Sequence, residues 1–455
     1  MSLLRKKQII QSNSHLKQTL GAFDLITLGV GAIIGTGIFV LTGIQAATNA
    51  GPALIISFII AGIACAFAAL CYSEFASTIS EAGSAYTYTY VTFGEIFAWI
   101  LGWDLVLEYG VASSAVASGW SGYFQGLLSQ VNIHLPKALT GAFNPSEGTI
   151  VNLPAILIVF LVTLLLSRGV KESVRWNTIM VFVKVAVVLL FIIVGVFYVE
   201  PSNWTPFMPY HFSGVTSAAA VVVFAYFGFE AVSTAAEEVK DPQRNVPIGI
   251  ISSLAICTVL YIIVTLVLTG MVPYKLLNVP DAVAFALRYV NQGWAAYFIS
   301  LGAIFGITTV LIVMMYGQTR LFYAMSRDGL LPKTFANISK KTQVPVQGTW
   351  ITGALVAFFA GVVSLDKLAE LVSIGTLFAF SSVCLGVIVL RKTKPDLKRG
   401  FRTPWVPVIP ILGMIFCLFL MTQLQKTTWM GFVIWLVIGL IIYFSYGRNH
   451  SKLKN

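Results

Sequence analysis

Gly29-Val30-Gly31-Ala32-Ile33-Ile34-Gly35-Thr36-Gly37-Ile38-Phe39 interrupts a long apolar segment that opens near residue 22. Each glycine inside a helix costs about 1 kcal/mol relative to alanine, so four within nine residues need a reason. One reason is close helix–helix packing, which small residues permit in membranes. Another is an unwound stretch, tolerated at membrane depth only where it faces protein or a water-filled cavity. Both readings stay open for Gly29 and Gly31. Gly35-Thr36-Gly37, two glycines around a hydroxyl residue, reads as a break. A second interruption, Phe224-Ala225-Tyr226-Phe227-Gly228-Phe229-Glu230, sets one glycine among aromatics and puts a carboxylate in an apolar run. Interrupted helices at matching places of two halves point to a transporter substrate site, where free N–H and C=O groups meet a zwitterion.

The surrounding chain has the composition of a membrane protein. Of 455 residues, 57% are hydrophobic and 10% charged, with a mean hydropathy of +0.84. Soluble domains run nearer 25% charged. A helix needs roughly 20 apolar residues to cross a bilayer, and twelve segments qualify. They are 22–48, 52–79, 92–128, 151–167, 177–199, 214–238, 246–271, 293–325, 348–364, 368–390, 405–424 and 428–446. The expectation is an all-α membrane protein of twelve transmembrane helices, the first and sixth broken.

Net charge is +11, and its placement explains it. Most of the 29 lysines and arginines fall in segments sharing one side, such as Arg5, Lys6, Lys7 and Lys17; Arg168, Lys171 and Arg175; Lys333, Lys340 and Lys341; Arg391 to Arg402; and Arg448, Lys452 and Lys454. This bias puts both termini in the cytoplasm. No interleaved basic-aromatic surface supports nucleic-acid binding, and no cleavable signal peptide opens the chain. The five cysteines lie in apolar segments without a CxxC pair, and the histidines (His15, His134, His211, His450) lie in tails or loops. No cofactor or metal is expected, nor is an enzyme: no nucleophile–histidine pair or metal-ligand cluster lies in the helices.

Ionisable residues at membrane depth are functional hypotheses by default. Asp104 and Glu108 lie one turn apart on the third segment and so share a face. Lys184 lies in Val181-Phe182-Val183-Lys184-Val185, with no charge near it in sequence. A lone lysine there either pairs statically with a carboxylate or alternates its charge as a proton carrier. Glu74, Glu237 and Glu238 read as ordinary interfacial charges.

These residues resemble the cationic amino acid transporter branch of the amino acid–polyamine–organocation superfamily. Ile33 to Phe39 is similar to that branch's first-helix signature. So are Tyr72-Ser73-Glu74-Phe75, Gly83-Ser84-Ala85-Tyr86-Thr87-Tyr88, Val91-Thr92-Phe93-Gly94-Glu95 and Gly102-Trp103. Phe227 to Glu230 running into Glu237-Glu238-Val239-Lys240-Asp241-Pro242, and Met325 to Pro332, continue the likeness over residues 20–445. No single motif is specific; their order and spacing are.

The resemblance implies the LeuT-like fold of two inverted five-helix repeats, here 21–200 and 201–391. Helices eleven and twelve (392–446) would lie outside it, between cytoplasmic tails 1–20 and 447–455. It also implies a bacterial version in the cell membrane, because the two extra C-terminal helices of animal relatives are missing. By position, the substrate carboxylate would meet Gly35, Thr36 and Gly37, and its amino group carbonyls near Phe224 and Ala225. Ile33, Phe227 and Met314 would line the pocket. Lys184 would lie near first-helix carbonyls and Thr308-Thr309, coupling a proton, with Glu108 as its partner and Asp104 the alternative.

The function expected is proton-coupled amino-acid import. The apolar pocket residues favour neutral substrates such as alanine, serine or threonine over arginine and lysine. Glu230 is either a counter-ion for a cationic side chain or a brace for the unwound segment. An obligate exchanger on the same fold is the rival reading. A nutrient sensor is remote, since it would need an output domain and the polar tails are short.

Overall fold

The computed structural model describes residues 4–7, 19–79, 84–169, 174–339, 341–342 and 344–452. His15, Lys17, Gly83, Lys171, Lys340 and Lys454, and the side chains of Ser84, Arg175 and Glu237, lie outside it.

Among the described residues the protein is helical throughout, with only isolated bridge pairs of extended backbone. Twelve helices are labelled here: α1 (Ala22–Ile33), α2 (Leu54–Thr78), α3 (Glu95–Gln130), α4 (Leu153–Ser167), α5 (Val174–Gly195) and α6 (His211–Val222); then α7 (Pro242–Met271), α8 (Gly293–Arg327), α9 (Val346–Val362), α10 (Leu365–Thr393), α11 (Val408–Thr422) and α12 (Lys426–Ile442). Among the described residues, eight helical stretches are long and apolar enough to cross a membrane. Four more, α1, α4, α9 and α11, are apolar but shorter. This is a multi-pass membrane protein, and its surface agrees: Phe197 is 81% exposed and Ile441 62%. Lipid, not water, solvates such a surface.

Local chemistry places the ends. Gly51 takes φ +63°, and with Pro52 beside it turns the chain from the helical run 37–50 into α2. Gly94, at φ +104°, sits against the backbone of Leu4 before α3 begins. Asn152 caps α4 by accepting from the Ala155 amide at 3.3 Å, with Pro154 in the first turn, both standard N-terminal devices.

Two packed groups meet at the centre. α7 lies along α1 and α2, and α3 lies along α8 and α10. α12 is fastened to α3 by stacked Trp103 and Trp435, each indole N–H donating to the other's backbone carbonyl at 2.8 and 2.9 Å. Gly439 lets Trp103 lie flat, since a Cβ there would come within 2.2 Å of its ring.

Glu74 is not the ordinary interfacial charge expected from its position. It is 1% exposed. Arg391 donates to both its oxygens, at 2.8 and 2.7 Å, and the Thr403 amide donates to one at 2.8 Å. Arg399 lies 3.3 Å away. The carboxylate therefore ties α2 to α10 and to the loop after it, which removes it from water at little net loss. Glu74→Ala leaves two guanidinium groups facing each other, so the cost expected is about 3–5 kcal/mol. A thermal unfolding scan in detergent should show it as a clear drop in Tm.

Candidate functional site

α1 stops where the glycines predict. Ile33 is its last residue, Ile34 is extended (ψ 102°), and the chain is helical again from Thr36. α6 tightens over Val223–Tyr226, then Phe227 is extended (ψ 130°) and Gly228 takes φ +124°. Only glycine adopts that last conformation without strain.

The two breaks cross in contact. A Cβ on Gly37 would come within 2.5 Å of Ala225, and one on Gly228 within 2.8 Å of the Ala32 carbonyl group. Each break is thus closed by a glycine of one helix against the backbone of the other. Tyr261 of α7 holds the crossing, its hydroxyl 2.9 Å from the Ile33 carbonyl and 2.7 Å from the Ala225 carbonyl. Sequence reasoning missed this residue. Its signal was a phenol in the middle of an apolar helix, which needs a buried partner.

The remaining candidate residues gather around this crossing. Thr36 is buried against Gly119 of α3, and its hydroxyl meets no partner among the described residues. Gly35 faces Val310 of α8, one turn before Met314. Phe224, Phe227 and Met314 are buried, and Tyr109 of α3 meets Phe227 edge-on at 5.5 Å. Glu230 accepts from the Gly228 amide with both oxygens, each at 3.1 Å, so it braces the unwound segment.

Lys184 is 1% exposed and donates to the Gly31 carbonyl at 2.6 Å. That carbonyl belongs to the C-terminal end of α1, where the helix dipole favours a cation. The lysine stem runs over Gly306, where a Cβ would come within 2.9 Å of it. Thr308 and Thr309 donate to their own helix instead, and Thr308 accepts from Trp120.

The expected Lys184–Glu108 partnership is not formed as an ion pair among the described residues, nor is one with Asp104. Glu108 accepts from Thr376 of α10 at 2.5 Å. Asp104 lies against Gly375, with both oxygens buried and unmet among the described residues. The reason is topological: α5 packs on α1 and α8, whereas the acidic face of α3 turns to α10.

Contacts cover the crossing at two ends. At one, the Thr19 and Leu20 amides donate to the Glu238 carbonyl, at 2.9 and 3.0 Å. At the other, Tyr123 donates to the Phe39 carbonyl at 2.8 Å, and Ala282 at the head of a short helix packs on Gly43. A ligand at the breaks must enter by a movement of these elements.

Gly37→Val should overpack the crossing, costing about 1–3 kcal/mol and abolishing activity. Gly293→Val, at a glycine with nothing within 4 Å of its built Cβ, should leave both unchanged. Tyr261→Phe should lower stability by about 1–3 kcal/mol by stripping a donor from buried carbonyls. Unfolding midpoints and substrate affinity read both.

Comparison with known proteins gives a consistent picture. The amino acid permease family matches residues 20–446. The methylthioribose transporter of Bacillus subtilis is 56% identical, the alignment covering 100% of this chain and 99% of that protein. The branched-chain amino acid permease BcaP of the same organism is 54% identical, over 100% and 99%. The vacuolar cationic amino acid transporter 4 of Arabidopsis thaliana is 33% identical, over 100% and 97%.

Proposed function

We propose, from the premise that this chain belongs to the amino acid permease family, that it carries a neutral, apolar amino acid into the cell together with a proton. It would do so by alternating access between inverted repeats 21–200 and 201–391, with twelve crossing helices and both termini in the cytoplasm of a bacterium. Its family consists of transporters and not enzymes.

The observation that carries the reading is the crossing of two broken helices. A break leaves N–H groups at the start of one half-helix and carbonyls at the end of the other. The first pole suits a carboxylate and the second an ammonium. The amides around Gly35, Thr36 and Gly37, with the unmet Thr36 hydroxyl, take the carboxylate. The carbonyls of Ile33 and of the Phe224–Ala225 turn take the amino group, using lone pairs that Tyr261 leaves open. Phe224, Phe227, Tyr109 and Met314 face the side chain. Glu230 is committed to the Gly228 amide, so it does not await a cationic side chain. The likeness to a branched-chain permease moves the choice from alanine, serine and threonine to leucine, isoleucine and valine.

Lys184 supports proton coupling through the pole of α1. Charged, it stabilises the Gly31 carbonyl; neutral, it leaves that pole bare and the break easier to rearrange. An ammonium already seated there also repels a metal cation from the same carbonyls. Asp104, whose oxygens meet no donor among the described residues, and Glu108, which accepts from Thr376, form a second acidic candidate.

A second reading rests on the 56% identical methylthioribose transporter. A thioether sugar has neither carboxylate nor ammonium, so it would use the apolar wall and ignore both poles. Uptake into proteoliposomes separates the cases, using labelled leucine, alanine, arginine and methylthioribose, with and without an inward proton gradient. Gradient-driven leucine uptake is expected to fall about tenfold, equivalent to about 1.4 kcal/mol, in Lys184→Ala. Uptake indifferent to the gradient but dependent on preloaded substrate would make the protein an exchanger. Transport of methylthioribose alone would overturn the amino-acid assignment.

A further inference from the structure

α7 begins abruptly. Asp241 takes φ +48°, Pro242 opens the helix, and Gly400 of the loop after α10 lies directly on its first turn. A Cβ on Gly400 would come within 2.2 Å of Gln243. Beside this contact lies a cavity of about 560 Å³, lined by Asp241, Gln243, Arg244, Ile248, Ile251 and Phe401 among others.

Three features of the cavity converge on one kind of ligand. Asp241 and Arg244 are both exposed, and no ion pair joins them among the described residues. They offer one negative and one positive group three residues apart, one at the cap of α7 and one in its first turn. Pro247, inside the helix, has no N–H to give to the Gln243 carbonyl four residues earlier, so that acceptor lacks its usual helical donor beside the cavity. From the cavity a strip of exposed apolar residues runs along α7 at helical spacing. It comprises Ile248 (37% exposed), Ile251 (36%), Ala255 and Val259 (56%). Nearby in the chain, Arg402 and the 79% exposed Trp405 are the residue types that sit at the headgroup level of a bilayer.

We propose that this cavity is a binding site for a phospholipid whose headgroup carries both a phosphate and a primary ammonium. Arg244 takes the phosphate. Asp241 and the Gln243 carbonyl take the ammonium, and one acyl chain lies on Ile248, Ile251, Ala255 and Val259. A purely anionic headgroup meets the Asp241 carboxylate unfavourably. A choline headgroup has no N–H to donate to either acceptor. The bound lipid wedges the α10–α11 loop against the first turn of α7, the helix that carries Tyr261 to the crossing. The site stands apart from the substrate and proton groups, so it holds whichever substrate is carried.

Native mass spectrometry of the detergent-purified full chain tests this. Dioleoyl phosphatidylethanolamine, phosphatidylcholine and phosphatidylglycerol would be titrated against wild type, Arg244→Gln and Asp241→Asn. Wild type should bind the ethanolamine lipid about tenfold more tightly than the other two, equivalent to about 1.4 kcal/mol. Arg244→Gln should weaken binding of all three. Asp241→Asn should remove the preference for ethanolamine while sparing phosphatidylglycerol. Equal binding of the three lipids by wild type would overturn the proposal, as would a preference for phosphatidylglycerol or an ethanolamine preference surviving in both variants. Unfolding midpoints in lipid-free detergent should match wild type, separating lost binding from lost folding.

Discussion

Everything at the centre of this protein depends on backbone polar groups freed where two helices break in a setting without water. A free carbonyl or amide at membrane depth costs several kcal/mol unless something meets it. The protein answers several of these groups locally. Tyr261 reaches the Ile33 and Ala225 carbonyls, Lys184 reaches the Gly31 carbonyl, and Glu230 accepts from the Gly228 amide. None of these donors lies on the break it serves in α1. α7 and α5 are therefore recruited to the break in α1, whereas Glu230 braces the break of its own segment.

The glycines at the breaks are the second half of the same constraint. Unwinding alone would leave the half-helices apart, with a hole between them. Gly37 against Ala225 and Gly228 against Ala32 close it by backbone contact, and the dispersion gained there is available only without a Cβ. Gly35 and Gly119 extend the principle outward, one against Val310 and the other against Thr36. Gly29 also fits the packing reading left open by the sequence, because it presses on Ser253 of α7.

Much of this was legible in the residues themselves. The breaks could be read because glycine runs and a mid-membrane carboxylate are costly, so their presence declares a purpose. The apolar helical segments could be read because apolar length is visible in a sequence, although α1, α4, α9 and α11 are shorter than the other spans. Partners across the bundle could not. For Lys184 the family likeness pointed to first-helix carbonyls, where it lies, while the carboxylate partner expected from charge alone is not the one the fold brings to it. Thr376, which holds Glu108, is one threonine among many. Glu74 looked interfacial from its place near a helix end, and only the fold brings Arg391, more than 300 residues on, to its two oxygens. Tyr261 stayed hidden for the same reason: a tyrosine in an apolar helix says that a partner exists and not which one.

The mismatch between the lysine and the acids has a consequence for how freely α1 can move against α5 on the proposed reading. On that reading, a static pair between α5 and α3 would tie down elements that transport has to move, and breaking it would strand a buried charge. Here the ammonium binds a neutral dipole and the acids lie elsewhere, so α1 can leave Lys184 without uncovering an unpaired carboxylate. The loss is a charge–dipole contact of modest size near a helix terminus. On the proposed reading this keeps the barrier between states low. It also places the control of that barrier in the charge of one side chain, Lys184, at the end of the helix that forms the substrate pole.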